Sequence, residues 1–176
     1  VARPNPHQWD VTGHDGTVIV TYTLFGDRVD GTYAAIDRTH AHLNIPATFM
    51  WARGLETRPV RVTFRPVTPD WKVATQLVPT SDPFVYTAPH FQYFMDSPTE
   101  LSAHDVRTWS VGQGAGAQTF RFALHHAGTA GALDSFAVLV QRVVAEQAAM
   151  WGELPKFDVG TYTFIADYLP YANGDG

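Results

Sequence analysis

The last 45 residues constrain this chain most, because there the hydrophobic period changes from that of a strand to that of a helix. From Ala132 to Trp151, Phe136, Leu139, Val140, Val143, Val144 and Trp151 recur at spacings of three and four. Gln147 is the one polar member of the series. This pattern predicts a long amphipathic helix with a single apolar stripe. Gly152 is placed to end it in a left-handed turn, and Pro155 prevents its resumption. A strand over Thr161–Leu169 follows, with Tyr162, Phe164, Ala166 and Tyr168 on one face, and then a glycine-rich loop from Pro170 to Gly176. A helix followed by a strand suggests a helix packed on a sheet.

Upstream, the chain reads as short strands separated by Pro and Gly turns. Thr17–Phe25 is β-branched and aromatic. Pro59–Arg65 alternates, with Val60, Val62 and Phe64 inward, and Trp71–Leu77 repeats the pattern after a turn at Pro66–Asp70. Thr32–Asp37, His40–Trp51, Phe84–Ala88, Phe91–Met95, Trp109–Val111 and Gln118–His125 complete the series. The predicted fold class is α+β, mostly β. A β-sandwich-like N-terminal domain is expected over residues 1–92, and a second unit of strand, helix and strand over residues 93–176.

Net charge is −5, and the 12 Lys and Arg form no run, which argues against nucleic acid as a partner. No apolar stretch is long enough to span a membrane. Cys is absent, so disulfides and thiolate metal sites are excluded. The N-terminus reads neither as a signal peptide nor, lacking Met, as an obvious start.

His40-Ala-His42 puts two imidazoles on one face of a strand, a possible metal pair if His125 or His90 joined it. The plainer interpretation, adopted here, is that both are polar positions of a solvated face, and no metal ligand is assigned. His125 and His126 point to opposite faces of their strand and cannot chelate one ion together. Zinc-peptidase chemistry needs H-E-x-x-H, in which two His one turn apart bind metal and the Glu activates water. No His here precedes Glu, and no two His stand four apart. None of the five Ser lies in G-x-S-x-G, and Gly112–Gly116 lacks the dinucleotide fingerprint. Asp96 and Glu100 could pair as carboxylates across a turn. Capping of the turn is the simpler role for Asp96. No catalytic residue is assigned.

Five blocks resemble the glycyl aminopeptidase family of thermolysin-like zinc metallopeptidases, which often carry a PDZ domain. They are Gly26–Tyr33, Trp71–Leu77, Tyr93-Phe-Met-Asp-Ser-Pro-Thr-Glu100, Phe120–His126, and Trp151-Gly-Glu-Leu-Pro155 with Tyr162–Phe164 following. The resemblance implies a β-rich N-terminal domain leading into the opening of a thermolysin-like catalytic domain. It implies a parent hydrolase that removes small, glycine-like N-terminal residues from peptide substrates, with zinc in the full-length parent and no cofactor in this chain. Gly174 and Gly176 match the start of the family's substrate-binding loop. The chain stops there, before any zinc ligand, and is expected to be a piece of the enzyme, inactive alone. The resemblance slightly favours a periplasmic or secreted location. A surface around Tyr162, Phe164 and Trp151, left by such truncation, is expected to be apolar and to support self-association. The alternative is a stand-alone β-sandwich binding module for carbohydrate or protein, with Trp9, Trp51, Trp71 and Trp109 as a stacking platform.

Overall fold

The computed structural model describes residues 1–28 and 32–171, with only the backbone at Ala115. In chain order the elements are β1 (Ala2–Asn5), β2 (Gln8–Asp10), β3 (Ala35–Ile36), β4 (His40–Leu43), α1 (Ile45–Thr48), β5 (Val60–Thr63), β6 (Lys72–Thr75), β7 (Val78–Pro79) and β8 (Val85–Ala88). Then come α2 (Phe91–Met95), β9 (Thr99–Ser102), β10 (Asp105–Val111), β11 (Gln118–His126), α3 (Ala130–Trp151) and β12 (Thr161–Tyr168). The fold is α+β and mostly β, built from several small sheets.

Two sheets position everything that follows. One runs β3-β4-β9-β6, antiparallel throughout. The other runs β10-β11-β12, with β11 and β12 parallel. A parallel pair needs a crossover, and α3 supplies it. Thr129 caps α3 by accepting from the Ala132 amide at 3.2 Å. Gly152, at φ 79°, closes it with its amide on the Ala148 carbonyl. A third sheet, β5-β8-β7, and the β1-β2 pair complete the described strands.

The described residues form two apolar cores. Leu43, Ile45, Val62, Phe64, Trp71, Leu77, Phe94 and Leu101 fill the first, among the N-terminal sheets. Phe122 and Leu124 of β11 pack on Leu133 and Ala137 of α3 in the second, flanked by Trp109, Phe136 and Phe164. Because side chains alternate along a strand, Arg121, Ala123 and His125 of β11 point the other way, as do Thr163, Ile165 and Asp167 of β12. That opposite face meets the β4–β9–β6 sheet. Arg121 Nη2 donates to the Thr75 carbonyl at 3.1 Å and to Thr163 Oγ1 at 2.9 Å. The Gln76 amide donates to the Thr161 carbonyl at 2.7 Å and accepts from the Thr163 amide at 3.0 Å. It thus satisfies the outer edge of β12 as a further strand would.

Several local expectations are corrected. Thr17–Phe25 forms no strand, and Ile19 and Phe25 are 87% and 92% exposed. β-propensity expresses the fit of a side chain to a paired, half-buried surface, and no described strand pairs with this segment. Phe91–Met95 is a helix, because the His90 side chain accepts from the Tyr93 amide and starts the turn. β5 and β6, joined through Pro66–Asp70, lie in different sheets. β9 lies past the expected division at residue 92, yet its ladder partners are β4 and β6.

Candidate functional site

Where the two sheets face each other, five ionisable side chains converge. His42 and Glu100 are direct antiparallel partners on β4 and β9. His125 and Asp167 are direct parallel partners on β11 and β12. His40 lies two residues before His42, on the same face of β4. His42 Nδ1 stands 3.5 Å from Glu100 Oε2 and 3.3 Å from Asp167 Oδ2. His125 Nδ1 stands 3.3 Å from Asp167 Oδ1 and 3.9 Å from Glu100 Oε1. The His40 and His125 rings are tilted together, 4.9 Å between centroids.

Burial makes this arrangement costly. Glu100 and His40 are fully buried, and the side chains of His42, His125 and Asp167 are 15%, 13% and 12% exposed. The close approaches are not aligned as hydrogen bonds. Among the described residues, both Glu100 oxygens, His42 Nδ1, His125 Nδ1, Asp167 Oδ1 and His40 Nε2 lack a hydrogen-bond partner. The facing charges nevertheless act on one another. Burial alone would lower the His42 pKa, but the Asp167 and Glu100 carboxylates outweigh it and push it up to about 9. Burial raises Glu100. Burial would raise Asp167 too, but His125 and His42 hold it well below the usual carboxylate range. Contact with Asp167 raises His125.

The periphery is better satisfied. Asp37 Oδ1 accepts from the Thr39 amide and hydroxyl at 2.6 and 2.8 Å and from the His40 amide at 3.1 Å. Its Oδ2 accepts from the Tyr171 hydroxyl at 3.1 Å. Burial works against ionisation, yet these donors hold the Asp37 pKa at about 2. His104, buried beside the cluster, has Nδ1 3.2 Å from Ser102 Oγ. Burial, with Lys72 and Arg121 adding repulsion, lowers its pKa to about 4.

The solvated-face interpretation of His40 and His42 is therefore overturned. Both face the inter-sheet space because a second sheet covers β4. His125 joins them; His90 does not, being occupied as the α2 cap. His126 faces away from His125, with Nε2 3.4 Å from Asp105. Glu100 does not pair with Asp96, which ends α2 and accepts from the Gln92 amide at 3.0 Å. Asp167 and His104 went unassigned from the sequence. The one available signal was that Asp167 falls on the face opposite Tyr162, Phe164 and Ala166. Gly174 and Gly176 lie outside the described residues. The four Trp do not form one platform: Trp71 is core, Trp109 stacks on Phe120, Trp51 on Phe91, and Trp9 lies under Arg3.

Chemically, imidazoles and carboxylates converging in a sheltered space can hold a divalent cation or keep protons as ion pairs. Two such triads share Asp167: His42, Glu100 and Asp167, and His40, His125 and Asp167.

The family model for the peptidase M61 N-terminal domain matches residues 1–103. The chain is similar in fold to the crystal structure of an aminopeptidase N family protein from Idiomarina loihiensis, with TM-score 0.58 and 19% identity. That similarity covers 77% of this chain and 23% of the other, so the chain spans about a quarter of that protein's length. No curated protein matches the chain.

Proposed function

This chain belongs to the peptidase M61 N-terminal domain family through residues 1–103, and from that premise we propose that it is the non-catalytic framework of a zinc-dependent aminopeptidase. The parent enzyme removes small N-terminal residues, glycine above all, from peptides. The observation that carries this reading is the family match, which takes in every strand of the β3-β4-β9-β6 sheet. The similarity of the fold to part of an aminopeptidase N family protein supports it.

In this reading the chain contributes support and no chemistry. Its sequence contains no H-E-x-x-H, so the zinc ligands and the general base of the parent come from outside these 176 residues. Gly174 and Gly176, which lie outside the described residues, are assigned to binding the peptide substrate in this reading. The first structural unit ends after β9, near residue 103. β11, α3 and β12 open the catalytic unit.

Hydrolysis of glycyl, alanyl and leucyl p-nitroanilides tests this. The parent polypeptide is expected to cleave the glycyl substrate fastest and to lose activity to a chelator. The 176 residues alone are expected to cleave none. Turnover by this chain alone, or a parent inert toward all three, overturns the reading.

A further inference from the structure

We propose that His42, Glu100 and Asp167 bind a divalent transition-metal ion of the zinc class between the two sheets, pinning β12 to β4 and β9.

The ligands come from three strands of two sheets. His42 and Glu100 are fixed relative to each other by their antiparallel register, and Asp167 arrives from the facing sheet. The donor atoms lie within 4.8 Å of one another. The contacts at His42 Nδ1, 3.5 Å to Glu100 and 3.3 Å to Asp167, are long and poorly aligned for hydrogen bonds. They match the edges of a coordination tetrahedron: bonds of about 2.0–2.1 Å from the metal to N and O place neighbouring ligand atoms about 3.4 Å apart.

Satisfaction of the buried groups points the same way. Glu100 is fully buried, and neither of its oxygens has a hydrogen-bond partner among the described residues. A buried unpaired polar atom costs about 1–3 kcal/mol, more when charged. Deprotonated to bind metal, the imidazole and the two carboxylates carry two negative charges, which a divalent cation cancels. The imidazole ligand favours zinc and its neighbours over calcium or magnesium, which take oxygen. His125 then acts as a positioning residue. It sits 3.3 Å from the other oxygen of Asp167 and orients that carboxylate.

The test uses the chelator-stripped protein of these 176 residues. Co²⁺ is added and the visible spectrum recorded, and bound Zn²⁺ is counted by mass spectrometry after dialysis. One ion per chain is expected, with the intense visible bands of tetrahedral Co²⁺. Glu100→Gln and Asp167→Asn are expected to weaken Zn²⁺ binding at least about a hundredfold, and His125→Ala about tenfold, the range for groups that orient a ligand. His7→Ala, remote in the β1-β2 turn, is expected to leave binding unchanged. A folded wild-type chain that binds neither metal overturns the proposal without recourse to any variant. So does a Glu100→Gln chain that binds Zn²⁺ like wild type, or one in which His7→Ala is as damaging. Those results would identify the cluster as an ion-pair network.

Discussion

The two faces of the β10-β11-β12 sheet solve the same problem with opposite materials. Toward α3 the sheet presents Phe122 and Leu124, which bury against Leu133 and Ala137 and need only volume. Toward β4 and β9 it presents Arg121, His125, Thr163 and Asp167, which need partners. Apolar contacts tolerate small shifts, whereas a buried charge without a partner costs several kcal/mol. The polar face therefore fixes how the two sheets meet, and the apolar face supplies most of the free energy. The largest effect is accordingly expected on the apolar side. Phe122→Ala removes a ring that is 1% exposed and should cost about 3–5 kcal/mol. Denaturant unfolding measures it, and a loss under about 1 kcal/mol would show that this face is not the main source of stability.

On the polar side pH is the sharper probe. His104 has a folded pKa of about 4 against an ordinary 6.5. Above pH 6.5 the imidazole is neutral both folded and unfolded. Between 6.5 and 4 the unfolded chain takes up a proton that the buried ring refuses, so stability falls as pH falls. At about 1.4 kcal/mol per pH unit the loss is bounded at about 3 kcal/mol. Lys72, Arg121, His125 and Asp167 also act on this ring. The difference between wild type and His104→Gln isolates its share. Parallel stability curves for the two proteins from pH 7 to 4 would refute the assignment.

A volume-preserving change separates the faces further. Glu100→Gln keeps the shape and removes the charge. Without metal it should shift stability by about 1 kcal/mol or less, since a buried carboxylate is itself costly. Added Zn²⁺ at about a hundredfold over the wild-type dissociation constant should stabilise wild type by about 2.7 kcal/mol and the variant by no more than about 0.4 kcal/mol. Equal stabilisation of both would remove Glu100 from the site.

The same contrast explains what could be read from the sequence. β5, β11, α3 and β12 were legible because each buries an apolar face with its own period. The polar interior was not. His40, His42, His125 and Asp167 occupy the positions that alternation marks as outward, and nothing local says that a second sheet covers them. Glu100 follows a Pro turn, and only pairing of β9 with β4, more than 50 residues away in the chain, puts it opposite His42. Thr17–Phe25 failed for the converse reason: its side chains suit a sheet, but no described strand receives it.

α3 provides the smallest and most selective test. Its predicted stripe is only partly the buried one. Leu133, Ala137 and Val144 face the sheet, with Phe136 and Val140 half-buried beside them, while Leu139, Val143, Met150 and Trp151 are 52%, 55%, 71% and 74% exposed. The helix is thus apolar on more than one side, and the second ridge lies in water. Replacing Val143 with Lys deletes no core contact, so unfolding free energy should change by no more than about 0.5 kcal/mol. An exposed apolar ridge promotes association, so wild type should sediment faster as concentration rises and should bind a hydrophobic dye. Val143→Lys should weaken both. A wild-type chain that stays monomeric and dye-silent would mean the ridge is too narrow to act. A Val143→Lys variant that loses stability would mean instead that the helix packs with a different face toward the sheet.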